Sequence, residues 1–248
     1  MEEIKYYLLC YVIPIVIACF IFIRMFRLNK AKCKAFICSL VCRYIHGKVC
    51  DKEKALLFEQ LKDHKSSLKT NSKFTILEIG VGSGMNFKFF PSECDVTCLD
   101  PNPYNEKYVI DSLRKANNNI RLVKFIEGYA ENMLDVLSDS FDAVVCTFTM
   151  CSIKGLNDAI EEIRRVLKPG GKFFFLEHVA AHKGSHLRSL QDKFQRIWPY
   201  IAKDTHINRE TWKFLDNSSF KDVQYHLFTA KFFLAFLAKP CMYGSATK

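Results

Sequence analysis

Short apolar runs alternate with helical patterns from Lys73 to the end of the chain. That alternation predicts βαβ units and a parallel sheet. The runs predict strands at Thr75–Gly80, Asp95–Asp100, Val123–Gly128, Asp142–Thr147 and Lys172–Val179. Helices fill the gaps, most plainly over Leu156–Leu167. There Pro169-Gly170-Gly171 ends the helix and turns the chain into the fifth strand. After a polar helical stretch, two β-rich runs at Val223–Phe228 and Phe232–Leu237 predict a late hairpin. Ahead of the sheet, residues Lys48 to Asn71 are polar, with Leu57, Leu61 and Leu68 at helical spacing, which predicts a leading helix and a linker. The expected fold class is α/β, a mostly parallel sheet with helices on both faces, in one domain of ordinary size behind an appendage.

The appendage opens with Tyr6 to Ile23, a run of 18 residues without a charge. As a helix at about 1.5 Å per residue it would span roughly 27 Å, close to the thickness of a thin bilayer. Pro14 would kink it, which lipid-embedded helices tolerate. A cleaved secretory leader is the competing reading. Glu2 and Glu3 before the run, its length, and Arg24-Met25-Phe26-Arg27 where small cleavage-site residues should stand all argue against that. Of the net charge of +10, the first 50 residues carry eight Lys and Arg against two Glu. The excess therefore sits beside an apolar run, a membrane signal, and no nucleic-acid partner is expected. Arg24, Arg27, Lys30, Lys32 and Lys34 follow the run while Lys5 alone precedes it, so the domain is expected in the cytosol. Ala35 to Cys42 is apolar but too short to span, and suits the interface. The expected organisation is a membrane anchor with its basic flank over residues 1–30, interfacial and linker helices over 31–72, and the folded domain over 73–248. A kinked span plus an interfacial helix also fits a hairpin in one leaflet, which a lipid-droplet monolayer would accept. The eleven cysteines form no Cys-x-x-Cys pair and several fall in expected buried strands, so reduced thiols are expected.

The chemistry gathers after the first strand, in Leu77-Glu78-Ile79-Gly80-Val81-Gly82-Ser83-Gly84. A dinucleotide fingerprint requires Gly or Ala where Met85 stands, and no Gly-Lys-Ser/Thr follows to make a Walker loop. Gly-x-Gly-x-Gly two residues after an acid instead resembles the first motif of class I S-adenosylmethionine-dependent methyltransferases. A plain tight turn is the bland alternative. In the methyltransferase reading Gly80, Gly82 and Gly84 leave bare backbone for the cofactor's methionine half. Glu78 pairs with its ammonium. Asp100, 20 residues after Gly80, accepts hydrogen bonds from the ribose hydroxyls. A helix cap within Asp100-Pro101-Asn102-Pro103 is the competing role for that acid. Gly128-Tyr129-Ala130-Glu131 follows the third strand, near the expected adenine. Cys146-Thr147-Phe148 ends the fourth, where an aromatic face beside a sulfonium gains about 0.5–2 kcal/mol, and where Phe148 serves equally well as core. His178 ends the fifth strand and is the candidate general base, a structural histidine being the alternative. His178, His182 and His186 recur every four residues, but Gly184-Ser185 interrupts the helix that would align them and no metal site is expected.

The domain from Phe74 onward resembles the membrane-anchored thiol S-methyltransferases, the methyltransferase-like seven family. The resemblance rests on Leu77-Glu78-Ile79-Gly80, Asn86-Phe87-Lys88-Phe89, Val96-Thr97-Cys98-Leu99-Asp100-Pro101-Asn102 and Ala130-Glu131-Asn132-Met133. It continues through Val144-Val145-Cys146-Thr147, Cys151-Ser152, Arg165-Val166-Leu167-Lys168-Pro169-Gly170-Gly171, Glu177-His178-Val179, Arg209-Glu210-Thr211-Trp212 and Tyr243-Gly244. It implies a Rossmann-like class I methyltransferase sheet closed by a late antiparallel hairpin. It also implies S-adenosyl-L-methionine as cofactor, held by Glu78, Gly80, Gly82, Gly84, Asp100, Asn102, Ala130, Glu131, Cys146, Thr147 and Phe148. The implied reaction is methyl transfer to small aliphatic thiols or hydrogen sulfide. The implied place is the endoplasmic reticulum membrane or a lipid droplet, as a monomer facing the cytosol. Residues 182–208, expected to cover the acceptor, match that family least. A quinone or lipid methyltransferase is the alternative enzyme; a membrane-surface protein with a non-catalytic methyltransferase fold is the alternative of another class.

Overall fold

A computed structural model of the chain describes residues 30–41, 50–68, 72–116, 119–198, 205–231 and 236–248. The expected anchor at residues 6–23 lies outside them. Helix α1 covers Lys30–Val41 and α2 covers Asp51–Ser67. The sheet is built from β1 (Phe74–Ile79), β2 (Cys94–Asp100), β3 (Arg121–Glu127), β4 (Phe141–Thr147), β5 (Leu167–His178), β6 (Lys221–Thr229) and β7 (Pro240–Thr247). Helix α3 (Asn105–Ala116) joins β2 to β3, α4 (Leu156–Val166) joins β4 to β5, and α5 (His186–Gln195) and α6 (Thr211–Asp216) lie between β5 and β6.

The strand order is β3-β2-β1-β4-β5-β7-β6. The five strands from β3 to β5 pair in parallel, while β7 runs antiparallel to both its neighbours. The central strands are apolar on both faces because helices cover both. One layer packs Ile76, Val96, Val145, Phe174 and Leu176 against Leu57, Phe58 and Leu61 of α2. The other packs Leu77, Ile79, Val144, Phe173 and Phe175 against Leu156, Ala159, Ile160 and Ile163 of α4. Those α4 residues recur at helical spacing, so one stripe of the helix is buried and the rest stays polar.

Two expectations are corrected. The helix expected over residues 156–167 ends at Val166, and β5 begins at once with Leu167 opposite Phe141. Pro169-Gly170-Gly171 is therefore not the turn into the strand. Pairing resumes at Lys172 opposite Ala143, so the segment is a bulge inside β5, with Gly170 at φ +77°. The strand that pairs with β6 is Pro240–Thr247; of the expected run 232–237, residues 232–235 lie outside the described residues and 236–238 form a turn of 3₁₀ helix. The apolar run had the better β composition, yet β7 has hydrogen-bonding partners on both sides, β5 and β6, and that pairing decides. Gly244 makes it possible, since a Cβ there would fall on the β6 backbone at Gln224 and Tyr225. Helix α1, expected to lie in the membrane interface, also touches the folded domain. Ala35 is buried, and the Ala31 carbonyl accepts a hydrogen bond from Asn102 Nδ2 at 2.9 Å, so α1 lies against the turn after β2. No helix of the described residues is long and apolar enough to cross a membrane.

Candidate active site

The strand order reverses between β1 and β4, so the loops leaving their carboxyl ends flank the crevice position at which doubly wound sheets bind ligands. Gly80, Gly82 and Gly84 adopt φ of +66°, +52° and +71°, the left-handed region that side chains disfavour. Two of them also have reasons inside the fold. A Cβ at Gly80 would fall within the Thr149 side chain, and one at Gly84 within the Phe87 ring. The Gly82 amide donates to Asp100 Oδ2 at 2.9 Å, and the Asn102 amide donates to Asp100 Oδ1 at 2.9 Å. Asp100 thus clamps the glycine turn to the turn after β2. Neither amide belongs to α3, which starts at Asn105, so these contacts are turn contacts and not the helix cap weighed for it.

Alternation along the strands sorts the remaining candidates. Glu78 and Thr147 share a face, because Asn86 Nδ2 donates both to Glu78 Oε1 at 2.8 Å and to Thr147 Oγ1 at 2.9 Å. Burial pushes the Glu78 carboxyl up to about 8, against the opposing hydrogen bond from Asn86 and the charge of Lys54. Cys146 points the other way. Its thiol is buried with Val144 and Phe175 and approaches Glu177 Oε1 at 3.8 Å, so only its backbone faces the crevice. Ala130 is buried in that same layer, and Tyr129 stands exposed. The Glu131 carboxylate accepts from the Lys154 and Gly155 amides at 3.1 and 3.4 Å, at the start of α4. The acid expected near the adenine therefore serves a helix terminus. His182 and His186 are exposed, and no group of three or more His, Cys, Asp or Glu among the described residues is placed to hold a metal ion.

The loop after β4 is pinned from beneath. Buried Glu177 accepts from the Thr149, Met150 and Cys151 amides at 2.6, 2.9 and 3.4 Å. Burial pushes its carboxyl up to about 7, with those three amides holding it down. Arg209 donates to the Met150 and Ile153 carbonyls at 2.6 and 2.5 Å. At the head of this loop Phe148 is held at φ +52°, a conformation that costs a non-glycine residue about 1–3 kcal/mol and persists only where its surroundings impose it. Its amide donates to the Leu176 carbonyl at 2.7 Å and its ring lies 4.6 Å from that of His178. His178 Nδ1 lies 2.8 Å from the Ala238 carbonyl. A carbonyl only accepts, so Nδ1 carries the proton and Nε2 is the acceptor face of the ring. Burial lowers the ring to about 4, leaving it neutral at physiological pH.

Residues 77–175 match the family described as "Methyltransferase domain". Thiol S-methyltransferase TMT1B of Rattus norvegicus is 41% identical over 177 residues, covering 71% of each chain. Thiol S-methyltransferase TMT1A of Homo sapiens is 35% identical over 218 residues, covering 87% of each. This chain belongs to the thiol S-methyltransferase family. An S-adenosylmethionine-dependent methyltransferase of Methanosarcina mazei shares the fold, with a TM-score of 0.55 at 18% identity over 72% of this chain and 94% of that one. The protein is accordingly an S-adenosylmethionine-dependent methyltransferase.

The residues of this methyltransferase fit that cofactor. Glu78 Oε2 and Asn86 Oδ1 are buried acceptors without a hydrogen-bond partner, which an ammonium group would satisfy. Asn86 was quoted above only as part of a family segment, and Lys54 drew no notice at all. Lys54 is buried on α2, with Nζ 5.8 Å from the centre of the Phe148 ring. A lysine on a polar helix reads as solvated in the sequence, and only its burial betrays it.

Proposed function

We propose that this protein transfers a methyl group to the sulfur of small aliphatic thiols or hydrogen sulfide at the cytosolic face of a membrane. The observation that carries the reading is kinship over most of the chain with proteins named thiol S-methyltransferases. When bound, S-adenosylmethionine supplies an electrophilic methyl on a sulfonium. Glu78 and Asn86 would hold its ammonium, Gly80, Gly82 and Gly84 would give its methionine half bare backbone, and Asp100 would take the ribose hydroxyls. Thr147 and Phe148 would flank the sulfonium. Asn102, Ala130, Glu131 and Cys146 offer backbone to the cofactor, their side chains being engaged elsewhere. His178 Nε2 would accept the thiol proton while Phe148 fixes the plane of the ring. Catalysis then rests mainly on holding the acceptor sulfur in line with the methyl carbon. Full-length protein given labelled S-adenosylmethionine and a panel of thiols, quinones and phospholipids should label the thiols. Label in quinones or phospholipids with inert thiols would sink the acceptor assignment, and label in none would favour a non-catalytic surface protein.

Cofactor binding should release a proton. With its carboxyl raised to about 8, Glu78 is mostly protonated at pH 7. Only the carboxylate pairs with an ammonium, so affinity should rise with pH from 6 to 8, by up to about tenfold per unit, and then level off. Calorimetry at stepped pH reads this slope, and Glu78→Gln should flatten it. A flat profile in the parent would move the ammonium to another place.

The basic flank after residues 6–23 supports a membrane address on the endoplasmic reticulum or a lipid droplet, with the domain cytosolic. A chain lacking residues 1–29 keeps α1 and its contact with Asn102. It should leave the membrane fraction and bind cofactor like the parent. Retention on membranes would reveal a second anchor, with residues 35–42 the first suspect.

A further inference from the structure

We propose that Gln191 is a positioning residue that fixes the tautomer of His178. The proposal rests on the reading of His178 as acceptor of the thiol proton and adds the residue that keeps it so. Gln191 belongs to α5, in the segment expected to cover the acceptor, yet its side chain is fully buried. A buried carboxamide must find partners for its oxygen and its two N–H groups. Gln191 finds them in the backbone around His178. Its Oε1 accepts from the Ala181 amide at 2.7 Å, and its Nε2 donates to the Leu237 carbonyl at 2.8 Å and the Val179 carbonyl at 3.3 Å. One N–H and two carbonyls leave a single orientation for the amide.

The two carbonyls it grips neighbour the two partners of one hydrogen bond. Val179 follows His178, and Leu237 precedes Ala238, whose carbonyl lies 2.8 Å from His178 Nδ1. One side chain thus brackets that pair from both ends. The grip matters because a neutral imidazole can carry its proton on either nitrogen, and the hydrogen bond at one sets the role of the other. Ala238 ends a single turn of 3₁₀ helix, closed by the Lys239 amide on the Phe236 carbonyl at 3.3 Å, and such turns have poor hydrogen-bond geometry. Beside Nδ1 stands also the Cys241 thiol, with Sγ at 3.3 Å. The Cys50 thiol and burial push Cys241 up, so it faces the ring as a neutral thiol, a weak acceptor. If the Ala238 carbonyl swings away, Nδ1 exchanges a strong partner for a weak one, and the proton can settle on Nε2. That tautomer closes the face that accepts from the thiol.

The test is a double-mutant cycle with His178 on the full-length protein, using a small alkyl thiol as acceptor. Gln191→Met keeps the length of the side chain and removes its donors. It should lower kcat/KM about five- to tenfold at pH 6–7 and by less than about twofold at pH 9, where preformed thiolate needs no base. Calorimetry should find S-adenosylmethionine affinity unchanged. In a His178→Ala background the same substitution should cost nothing further. Gln191→Glu keeps the Ala181 bond and, when protonated, one donor, so it should fall between the parent and Gln191→Met. It carries the same cycle if Gln191→Met fails to melt cooperatively. A loss equal at every pH, or one that adds to that of His178→Ala, would make Gln191 a packing residue and overturn the proposal, as would a parental rate. If His178→Ala itself leaves the rate unchanged, the base assignment falls first and this proposal with it.

Discussion

Replacing Asp100 with alanine is expected to lower affinity for S-adenosylmethionine at least tenfold, and on the order of a hundredfold. Its two oxygens hold the Gly82 and Asn102 amides, so the carboxylate shapes the cradle as well as facing the ribose. A hydrogen bond to a charged group contributes about 1.5–3 kcal/mol, and about 1.4 kcal/mol is a factor of ten in affinity. Loss of the ribose contacts alone gives the lower figure, and release of the Gly82 turn adds the rest. Asp100→Asn keeps one acceptor oxygen and should fall between the parent and the alanine variant. Calorimetry, with thermal melting as a check that each variant is folded, measures both. An alanine variant that binds like the parent would displace the cofactor from the crevice between β1 and β4.

The same residue shows what a sequence can and cannot reveal. Glu78, the three glycines and Asp100 were legible because short-range rules connect them: an apolar run, a turn that only glycine tolerates, then an acid at the next strand end. That Asp100 grips the Gly82 amide was not legible, because that partner belongs to a turn 18 residues away. The helix α4 and the strands β1, β2 and β4 were found within one or two residues, each being an element whose own pattern fixes it. β7 was misplaced because its Pro-Cys-Met-Tyr-Gly-Ser-Ala-Thr composition is poor for a strand, and the partners on either side select it. Glu177 and Arg209 stood out only as family segments. Their work, pinning the loop that carries Phe148, appears once Met150 and its neighbours are placed against them. Lys54 gave no sign at all, since burial of a helical lysine depends on what packs over it.

Thiol methylation is expected to depend on His178 most strongly at low pH and hardly at all near pH 9. A cysteine-like thiol has a pKa of about 8.5, so at pH 6 about 0.3 per cent is thiolate. As the acceptor sulfur bonds to the methyl carbon its proton becomes strongly acidic, and a base held at about 4 is then strong enough to take it. His178 can do so throughout this range because it is already neutral, with Nδ1 committed to Ala238 and Nε2 as acceptor. The sign follows from that lowered pKa: the ring loses its function only as pH falls through about 4, so no inflection near 6.5 should appear. In the parent, kcat/KM should show a floor at pH 6–7 and climb toward the thiol's own pKa, where preformed thiolate takes over. In His178→Ala the floor should drop by about 10²-fold, leaving a rate that falls tenfold per unit as pH is lowered. The two profiles should converge within a few fold at pH 9, and calorimetry should find cofactor affinity little changed. A parent-to-variant ratio constant across pH would mean that the ring positions Phe148 and the acceptor without touching the proton. A ratio near one throughout would make His178 a structural histidine and leave proton removal to solvent.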